Sequence, residues 1–425
     1  MKYPCVISLP EGMHGDYHGG RMRPLLPHRA LYASFDRVPS PKGAATHIEH
    51  FAGTLFDTFG GGLLHVLGDA SLPDYQREAQ VEVLRYAATH DNFLDRTQGF
   101  GRRLAATVAH LEGSLEICHF RDPWSGIPIL DRSHRYRTVY EVNGLPSIEL
   151  PSTYPLLSPR TLDKIRQAER FCVDNADSIV TPSTTIADNL MRMGASHKRI
   201  AVIRNGAKPC VTPPNRPDEA PLRYLVYFGA LQPWQGLDVL LQAFARLADL
   251  DLQLVICSSS HHRLEKPFRR LATRLGLDER IIWRHGLARA ELARWVAHAE
   301  ISVAPLTECA RNLDQGCCPL KILESMALGV PVVASDIPAV REILDEDTGR
   351  LVHPGRPAEL ARALRVLLEY PDAAKTMGAR GKQRLERDLT WAASTTALRQ
   401  LYQTLCSPDA ASPLFLTPAI AVACP

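Results

Sequence analysis

Short apolar runs alternate with longer amphipathic stretches from Ala30 onward. LYASFDRV reads as a strand, and AATHIEHFAGTLFDT as a helix that puts Ile48, Phe51 and Leu55 on one face. Strand-like GGLLHVLG follows, and helical segments are expected within residues 73–111. SLEICHF and RTVYEV read as strands, residues 159–175 as a helix, and DSIVTPS as a strand. Thr184 to Met193 reads as a helix, and KRIAVIRNG as the strand that closes this half. Residues 208–221, KPCVTPPNRPDEAP, hold five prolines and no periodicity, which marks a linker.

A second series then runs through strand YLVYFG, helix GLDVLLQAFARL, strand LQLVICSS, a helix around 263–275, strand RIIWRHG and helix ARAELARWVAHA. Strand EISVAPL, a helix after Pro319, strand VPVVASD, the short helix AVREIL and strand GRLVHP follow. Helices at 357–369 and 372–387, and the amphipathic TWAASTTALRQLYQTL, end it. Recurrent βα units predict a parallel, doubly wound sheet in each half. The expected fold class is therefore α/β, with two Rossmann-like domains facing each other across a cleft. The expected boundaries are an arm at 1–27, a first domain at 28–207, the linker, and a second domain at 222–388. A helix at 389–406 is expected to cross back onto the first domain, and a Pro-rich tail to fill 407–425. Ligands of such sheets bind at the carboxyl ends of strands, so chemistry is sought in the loops that follow them.

Composition changes this picture little. The 425 residues exceed one ordinary core, in keeping with two domains. Lys+Arg at 49 against Asp+Glu at 46 leaves a net charge of +3, which argues against wholesale binding of nucleic acid. Ten cysteines are scattered without a C-x-x-C, which suits reduced thiols in a cytosolic chain. No apolar run is long enough to span a bilayer, and MKYPCVISLPEGMHGDYHGG lacks the apolar stretch of a signal peptide. A cytoplasmic location is expected, with peripheral docking at the inner membrane face left open.

The most informative segment is RNLDQGCCPLKILESMALGVPVVASDIPAVREIL, residues 311–344. Pro319 suits the first helical position, so the backbone amides of Gly316, Cys317, Cys318 and Leu320 would open a helix N-terminus, a ready anion site. Lys321 and Glu324 are three apart and share a helix face. A cation and a carboxylate there suit a nucleoside diphosphate, Lys321 meeting phosphate and Glu324 accepting from ribose hydroxyls. The plain alternative is a surface Lys–Glu pair on an ordinary helix.

QGCCPLKILESMALGVPVVASDIPAVRE resembles the donor-binding segment of retaining glycosyltransferases of family 4, which have the GT-B fold. In many members two glutamates lie eight positions apart here; Glu324 matches the second, and Gly316 stands at the first. Backbone amides around Gly316 to Cys318 would then supply the contact to the transferred sugar. YFGALQPWQGLDVLLQAFARL, residues 227–247, is similar to the stretch that opens the family's second domain, where an Arg and a Lys meet the pyrophosphate. This chain has Ala230 and Gln235 there, so Gln235 is expected to offer a neutral hydrogen bond and Lys321, Arg311 and Arg121 the charge. VPSPKGAATHIEHFAGTL resembles the family's glycine loop, with Gly43 approaching the donor phosphate. In HFRDPWSG, Arg121 stands where many relatives have a His, with His119 two residues earlier. Arg121 would neutralise developing phosphate charge, unless it pairs with Asp122 or another carboxylate. Glu141 and Asn143 in YEVNG either line the acceptor side or form a turn.

Asp249-x-Asp251 sits at a helix-to-strand junction, and His47, His50, His261 and His262 match no zinc spacing, so no metal is expected. No Walker loop and no G-x-S-x-G elbow occurs. The resemblance implies a metal-independent, retaining transferase that moves a sugar from a nucleoside-diphosphate sugar to a saccharide, lipid-linked or small-molecule acceptor, with no further cofactor. A sugar-nucleotide epimerase and an inactive nucleotide-sugar-binding protein are the alternatives. Sequence leaves the oligomeric state undetermined.

Overall fold

The computed structural model describes residues 25–407 apart from 41, 42 and 91. The expected arm up to residue 24 and the tail from residue 408 lie outside the described residues. The first sheet has strands β1 (Ala30–Arg37), β2 (Gly62–Leu67), β3 (Tyr75–Glu78), β4 (Val81–Tyr86), β5 (Ile117–Phe120), β6 (Arg137–Glu141), β7 (Ser178–Thr181) and β8 (Ile200–Val202). Their order is β3-β4-β2-β1-β5-β6-β7-β8, parallel except for the antiparallel pair β3–β4. The second sheet has β9 (Tyr224–Gly229), β10 (Gln253–Ser258), β11 (Ile281–His285), β12 (Ile301–Ala304), β13 (Val332–Ser335) and β14 (Arg350–Val352). Its order, β11-β10-β9-β12-β13-β14, is all parallel.

The helices of the first half are α1 (Gly43–Phe59), α2 (Phe93–Leu111), α3 (Pro123–Leu130), α4 (Pro146–Thr153), α5 (Pro159–Asn175) and α6 (Thr184–Arg192). Those of the second are α7 (Leu237–Ala245), α8 (Lys266–Arg274), α9 (Arg289–Ala297), α10 (Leu320–Ala327), α11 (Pro338–Arg341), α12 (Pro357–Glu369), α13 (Pro371–Asp388) and α14 (Trp391–Leu405). Side-chain oxygens of Asp122, Ser158, Ser183 and Thr390 accept first-turn amides, which sets where α3, α5, α6 and α14 begin. Both faces of each sheet are covered, which is why β9 reads as an unbroken apolar run and β2 as one interrupted by buried His65 alone.

One expectation fails: residues 75–86 form a hairpin instead of a helix. REAQVEVL favours helix by propensity, but pairing along β2 and burial of Val83 and Leu84 outweigh that preference. The helix after Pro319 starts one residue later than expected, with Pro319 as its extended cap.

Apolar cores form separately around the two sheets. Phe100, Leu104, Phe120 and Tyr140 fill one face of the first sheet. On its other face Ile48, Phe51 and Leu55 of α1 meet Leu398, Leu401 and Tyr402 of α14. The last helix therefore belongs, by packing, to the first sheet's core. Each such buried Leu or Phe contributes about 2 kcal/mol. Leu240, Phe244, Leu254 and Leu364 are at the heart of the second. Strand order reverses between β1 and β5, and between β9 and β12. The end of β1 and the loops after the other three strands carry Asp36, Arg121, Ala230 and Leu306 to one cleft of about 690 Å³ between the sheets. Among the described residues no helix is long and apolar enough to cross a membrane.

Candidate functional site

The second domain's wall of the cleft is the start of α10. Lys321 and Glu324 both line it, one helical turn apart. The Lys321 ammonium donates to Gln235 Oε1 at 2.5 Å and lies 4.4 Å from the centre of the Tyr227 ring. Burial pushes the Lys321 ammonium down to about 7, although Cys317 and Glu324 oppose the shift. Burial also pushes the Glu324 carboxyl up to about 7, against the charges of Arg289 and Lys321. Both groups therefore stand near their midpoints at neutral pH.

Gln235 is held by a 3₁₀ turn, Pro233–Gln235, closed by left-handed Gly236. A Cβ at position 236 would lie 1.8 Å from the Pro305 carbonyl oxygen, so only glycine fits there. The structure thus makes Gln235 a support for Lys321 through its oxygen. Cys317, Cys318 and Leu320 line the cleft as expected from their place at the helix mouth. Burial pushes the Cys318 thiol up to about 12 and raises that of Cys317, so both stay neutral.

Gly316 is placed differently. It has φ +87° and does not line the cleft; a Cβ there would lie 2.8 Å from Thr185 of α6. Its expected contact to a sugar is not supported by this position, because the residue faces the other domain. Arg311 lines the cleft above Trp234, with its guanidinium 5.5 Å from that ring, and pairs with Glu149 of α4 at 3.2 Å.

On the first domain's wall, Gly43 lines the cleft at the start of α1, and its missing side chain admits Leu320 Cδ1, 2.8 Å from an ideal Cβ. Arg121 lines the cleft from the end of β5. It pairs with Glu141 at 2.8 Å and Asp36 at 3.5 Å, and donates to the Ala44 carbonyl at 3.0 Å. The expected alternative, pairing with a carboxylate, is what the structure shows, with Glu141 and Asp36 in place of Asp122, whose carboxylate accepts the Phe35 and Ser125 amides.

Two expectations need correction. Glu141, expected on the acceptor side, is 1% exposed and lies behind the wall. It accepts from Tyr32 at 2.6 Å, His119 at 3.0 Å and Asn143, with His47 at 3.1 Å. Burial alone would raise its carboxyl, but His47, Arg121 and the hydrogen bonds of both histidines hold it well below the usual range. His119, expected to be catalytic, is fully buried between Glu141 and Tyr402, which it meets at 2.7 Å. Burial keeps its ring neutral by pushing it below the ordinary imidazole range. It positions Glu141 and, through it, Arg121. Asn143 does line the cleft.

Polar groups that the sequence left unassigned join the two walls. Arg289 of α9 reaches Glu49 at 3.5 Å and also bonds Thr46. Gln315 accepts the Leu145 amide at 2.9 Å, and Glu342 accepts the Thr184 and Thr185 amides at 3.0 and 3.2 Å. Each pair spans more than 150 residues, so no local pattern announced it. Asp249 of the D-x-D triplet is bound on both oxygens by Arg365, at 2.7 Å each. Among the described residues, no group of three or more His, Cys, Asp or Glu is arranged to hold a metal.

Residues 223–370 match the family described as glycosyl transferases group 1, and residues 43–206 the glycosyl transferase 4-like domain. Over 259 residues the chain is 32% identical to D-inositol 3-phosphate glycosyltransferase of Corynebacterium efficiens, covering 56% of this chain and 59% of that one. It is 30% identical over 242 residues to MMP alpha-(1->4)-mannosyltransferase of Mycolicibacterium hassiacum, covering 55% and 56%. The match therefore spans under two-thirds of either relative. Among solved structures, sucrose-phosphate synthase of Thermosynechococcus elongatus superposes with a TM-score of 0.73 at 18% identity, over 89% of this chain and 99% of that one. Anabaena HepE in complex with UDP and glucose gives 0.69 at 17% identity, over 89% and 100%. At such identities these structures show a shared GT-B fold.

Proposed function

Because the chain belongs to the group 1 glycosyl transferases, we propose that it moves a sugar from a nucleoside-diphosphate sugar to an acceptor hydroxyl with retention of configuration. The single observation that carries this reading is the pair Lys321 and Glu324 at the mouth of α10, facing Arg121 across one cleft. The diphosphate would lie on the helix-terminal amides of Cys317, Cys318 and Leu320, where partial positive charge collects. Lys321, brought close by Gln235, would meet it as a cation. Glu324 would accept from the ribose hydroxyls.

In the retaining, front-face course we propose, the bond between the sugar and the diphosphate breaks as the acceptor oxygen bonds to the same face. The departing phosphate oxygen takes the acceptor proton, so neither a protein nucleophile nor a metal ion is called upon. Arg121, its charge already balanced by Glu141 and Asp36, would offer the leaving group its remaining N–H donors. Its ion pair with buried Glu141 fixes it before substrate arrives. Since HepE is described in complex with UDP-glucose, that donor is the one to test first. Calorimetry should show UDP-glucose binding that weakens at least ~10-fold in Glu324→Ala. Unchanged affinity would sink the placement of the ribose.

A further inference from the structure

Leu94, Ile127, Tyr154, Leu156 and Phe171 are large apolar side chains that the first domain leaves in water. Leu156 is 99% exposed and the other four 38–42%. They belong to one layer. α3 is seated between α2 and α5: a Cβ at Gly101 would lie 3.8 Å from the Trp124 carbonyl oxygen, and one at Gly126 2.5 Å from Cys172 Sγ. Leu94 is in the first turn of α2, Ile127 is on α3, and Phe171 is on α5 next to Cys172. Tyr154 and Leu156 come from the turn between α4 and α5. Tyr154 packs on Phe93, the first residue of α2, with ring centroids 5.4 Å apart. Exposed apolar side chains gathered in this way mark an interaction surface, whereas scattered single ones need no explanation.

The layer is also basic. Arg102 and Arg103 of α2 and Arg160, Lys164, Arg166 and Arg170 of α5 are exposed, against the exposed acids Asp95, Asp163 and Asp174. Asp163 pairs with Arg166 at 2.6 Å, Asp174 with Arg170 at 3.4 Å, and Asp95 accepts from Asn92 at 2.7 Å. Arg102, Arg103, Arg160 and Lys164 have no ion pair among the described residues. Between them α3, PWSGIPIL, carries no charge. Just past the helices, Glu112 and Asp131 are offset by Arg132 and Arg135, both of which pair with Glu112. A solvated helix face accounts for the cations but not for the apolar side chains among them. α8 provides the contrast: Lys266, Arg270 and Arg274 are exposed there, yet no large apolar side chain of that helix is. Nucleic acid would be served by cations alone. An anionic bilayer rewards both, with cations at the lipid phosphates and apolar side chains at the headgroup–acyl boundary.

We propose that this layer docks the protein peripherally on an anionic lipid bilayer. Arg102, Arg103, Arg160 and Lys164 meet the lipid phosphates, and Leu156, Ile127 and Phe171 reach the boundary between headgroups and acyl chains. Phe93, on which Tyr154 packs, lines the cleft, so the cleft opens at the edge of the docked face. Docking of this kind does not depend on the transferase reading.

The test sediments the full chain with vesicles of phosphatidylcholine, alone or mixed equally with phosphatidylglycerol. The chain should bind the anionic vesicles at least ~10-fold more tightly, and the preference should shrink as salt is raised. Arg160→Glu with Lys164→Glu should weaken that binding about 25-fold or more, at about 5-fold for each cation removed. Leu156→Ser changes a side chain that already stands in water, so the fold is kept, and binding should weaken about 10-fold. Lys266→Glu with Arg270→Glu makes the same change of charge on α8 and should leave binding within about twofold. Circular dichroism confirms that each variant is folded. No preference for anionic vesicles overturns the proposal, and so does wild-type binding by Leu156→Ser or by Arg160→Glu with Lys164→Glu. An equal loss in the α8 variant also overturns it, because net charge alone would then be at work. Binding of a short duplex DNA, with no binding of vesicles, would make the face a nucleic-acid site and overturn it as well.

Discussion

Donor affinity should pass through a maximum near pH 7. Lys321 is pushed down to about 7 chiefly by burial, and Glu324 is pushed up to about 7 by the same cause. A bound diphosphate requires the lysine protonated, and ribose hydroxyls require the glutamate ionised. Taking each group at about 7, a value that already includes the other's charge, roughly a quarter of the free protein is in that state at pH 7. The fraction falls to roughly one in a hundred at pH 5, where Glu324 is protonated, and at pH 9, where Lys321 is neutral. Apparent affinity scales with the competent fraction, so it drops about 25-fold, or about 2 kcal/mol, on each side.

Isothermal titration with UDP-glucose between pH 5 and 9, in buffers of different ionisation enthalpy, measures both the affinity and the protons moved. Binding should take up a proton on the alkaline side, as Lys321 is recharged, and release one on the acid side. Lys321→Met should weaken binding and remove the alkaline limb, and Glu324→Gln should remove the acid limb. A flat affinity from pH 5 to 9, or binding without proton exchange, would refute the reasoning. The same shifts make a stability statement. Between pH 7 and 10.5 the unfolded chain holds the Lys321 proton more tightly, so stability from this group rises with pH across that window. Lys321→Met should accordingly stabilise the empty protein by about 1 kcal/mol while costing it the donor.

Three further outcomes are expected. Glu141→Gln leaves Arg121 without its buried counter-charge and should cost about 3–5 kcal/mol of stability, read as a lower urea midpoint. Because the Glu141 carboxyl is depressed, the wild type's advantage should hold above its ordinary value of 4.5 and fade as pH falls below it through the folded value. Gly316→Glu, which restores the carboxylate usual in the family, should lower the melting temperature without raising turnover. A side chain there must adopt φ +87°, ψ 176°, a region essentially closed to other residues at about 1–3 kcal/mol, and push against Thr185. Arg289→Ala breaks an exposed pair with Glu49 and should cost under about 1 kcal/mol. Removing that charge should nevertheless raise Glu324 further and move the acid limb of donor affinity to higher pH.

The parts of this molecule that the sequence made legible are those whose cause is local. Apolar runs mark β9 and, apart from His65, β2 because both faces of a parallel sheet are covered, and the proline before Leu320 marks the start of α10. The polar edge strand β3, only four residues long, has no such signature, and Glu78, Ala79 and Glu82 around its turn pointed to helix. Site residues divide in the same way. Lys321 and Glu324 share a face because three residues make nearly a turn, whatever surrounds them. Spacing put His119 and Arg121 on one side of β5, but depth is a tertiary property. It took α14, arriving from 283 residues away with Tyr402, to bury the histidine and leave the arginine at the surface of the cleft. Gln235 shows how such a partner can invert a role. Read alone, a glutamine in place of a loop cation offers the ligand a neutral donor. In the fold its oxygen accepts from Lys321, so in the proposed reading the charge missing from the loop would come from the helix, braced by the residue that replaced it. A cation on a helix, held by a loop that Gly236 locks, has less freedom to lose on binding than one on the loop itself. The departure from the family's pattern at 235 and the lysine at 321 are therefore one feature of this site, separated by 86 residues of chain.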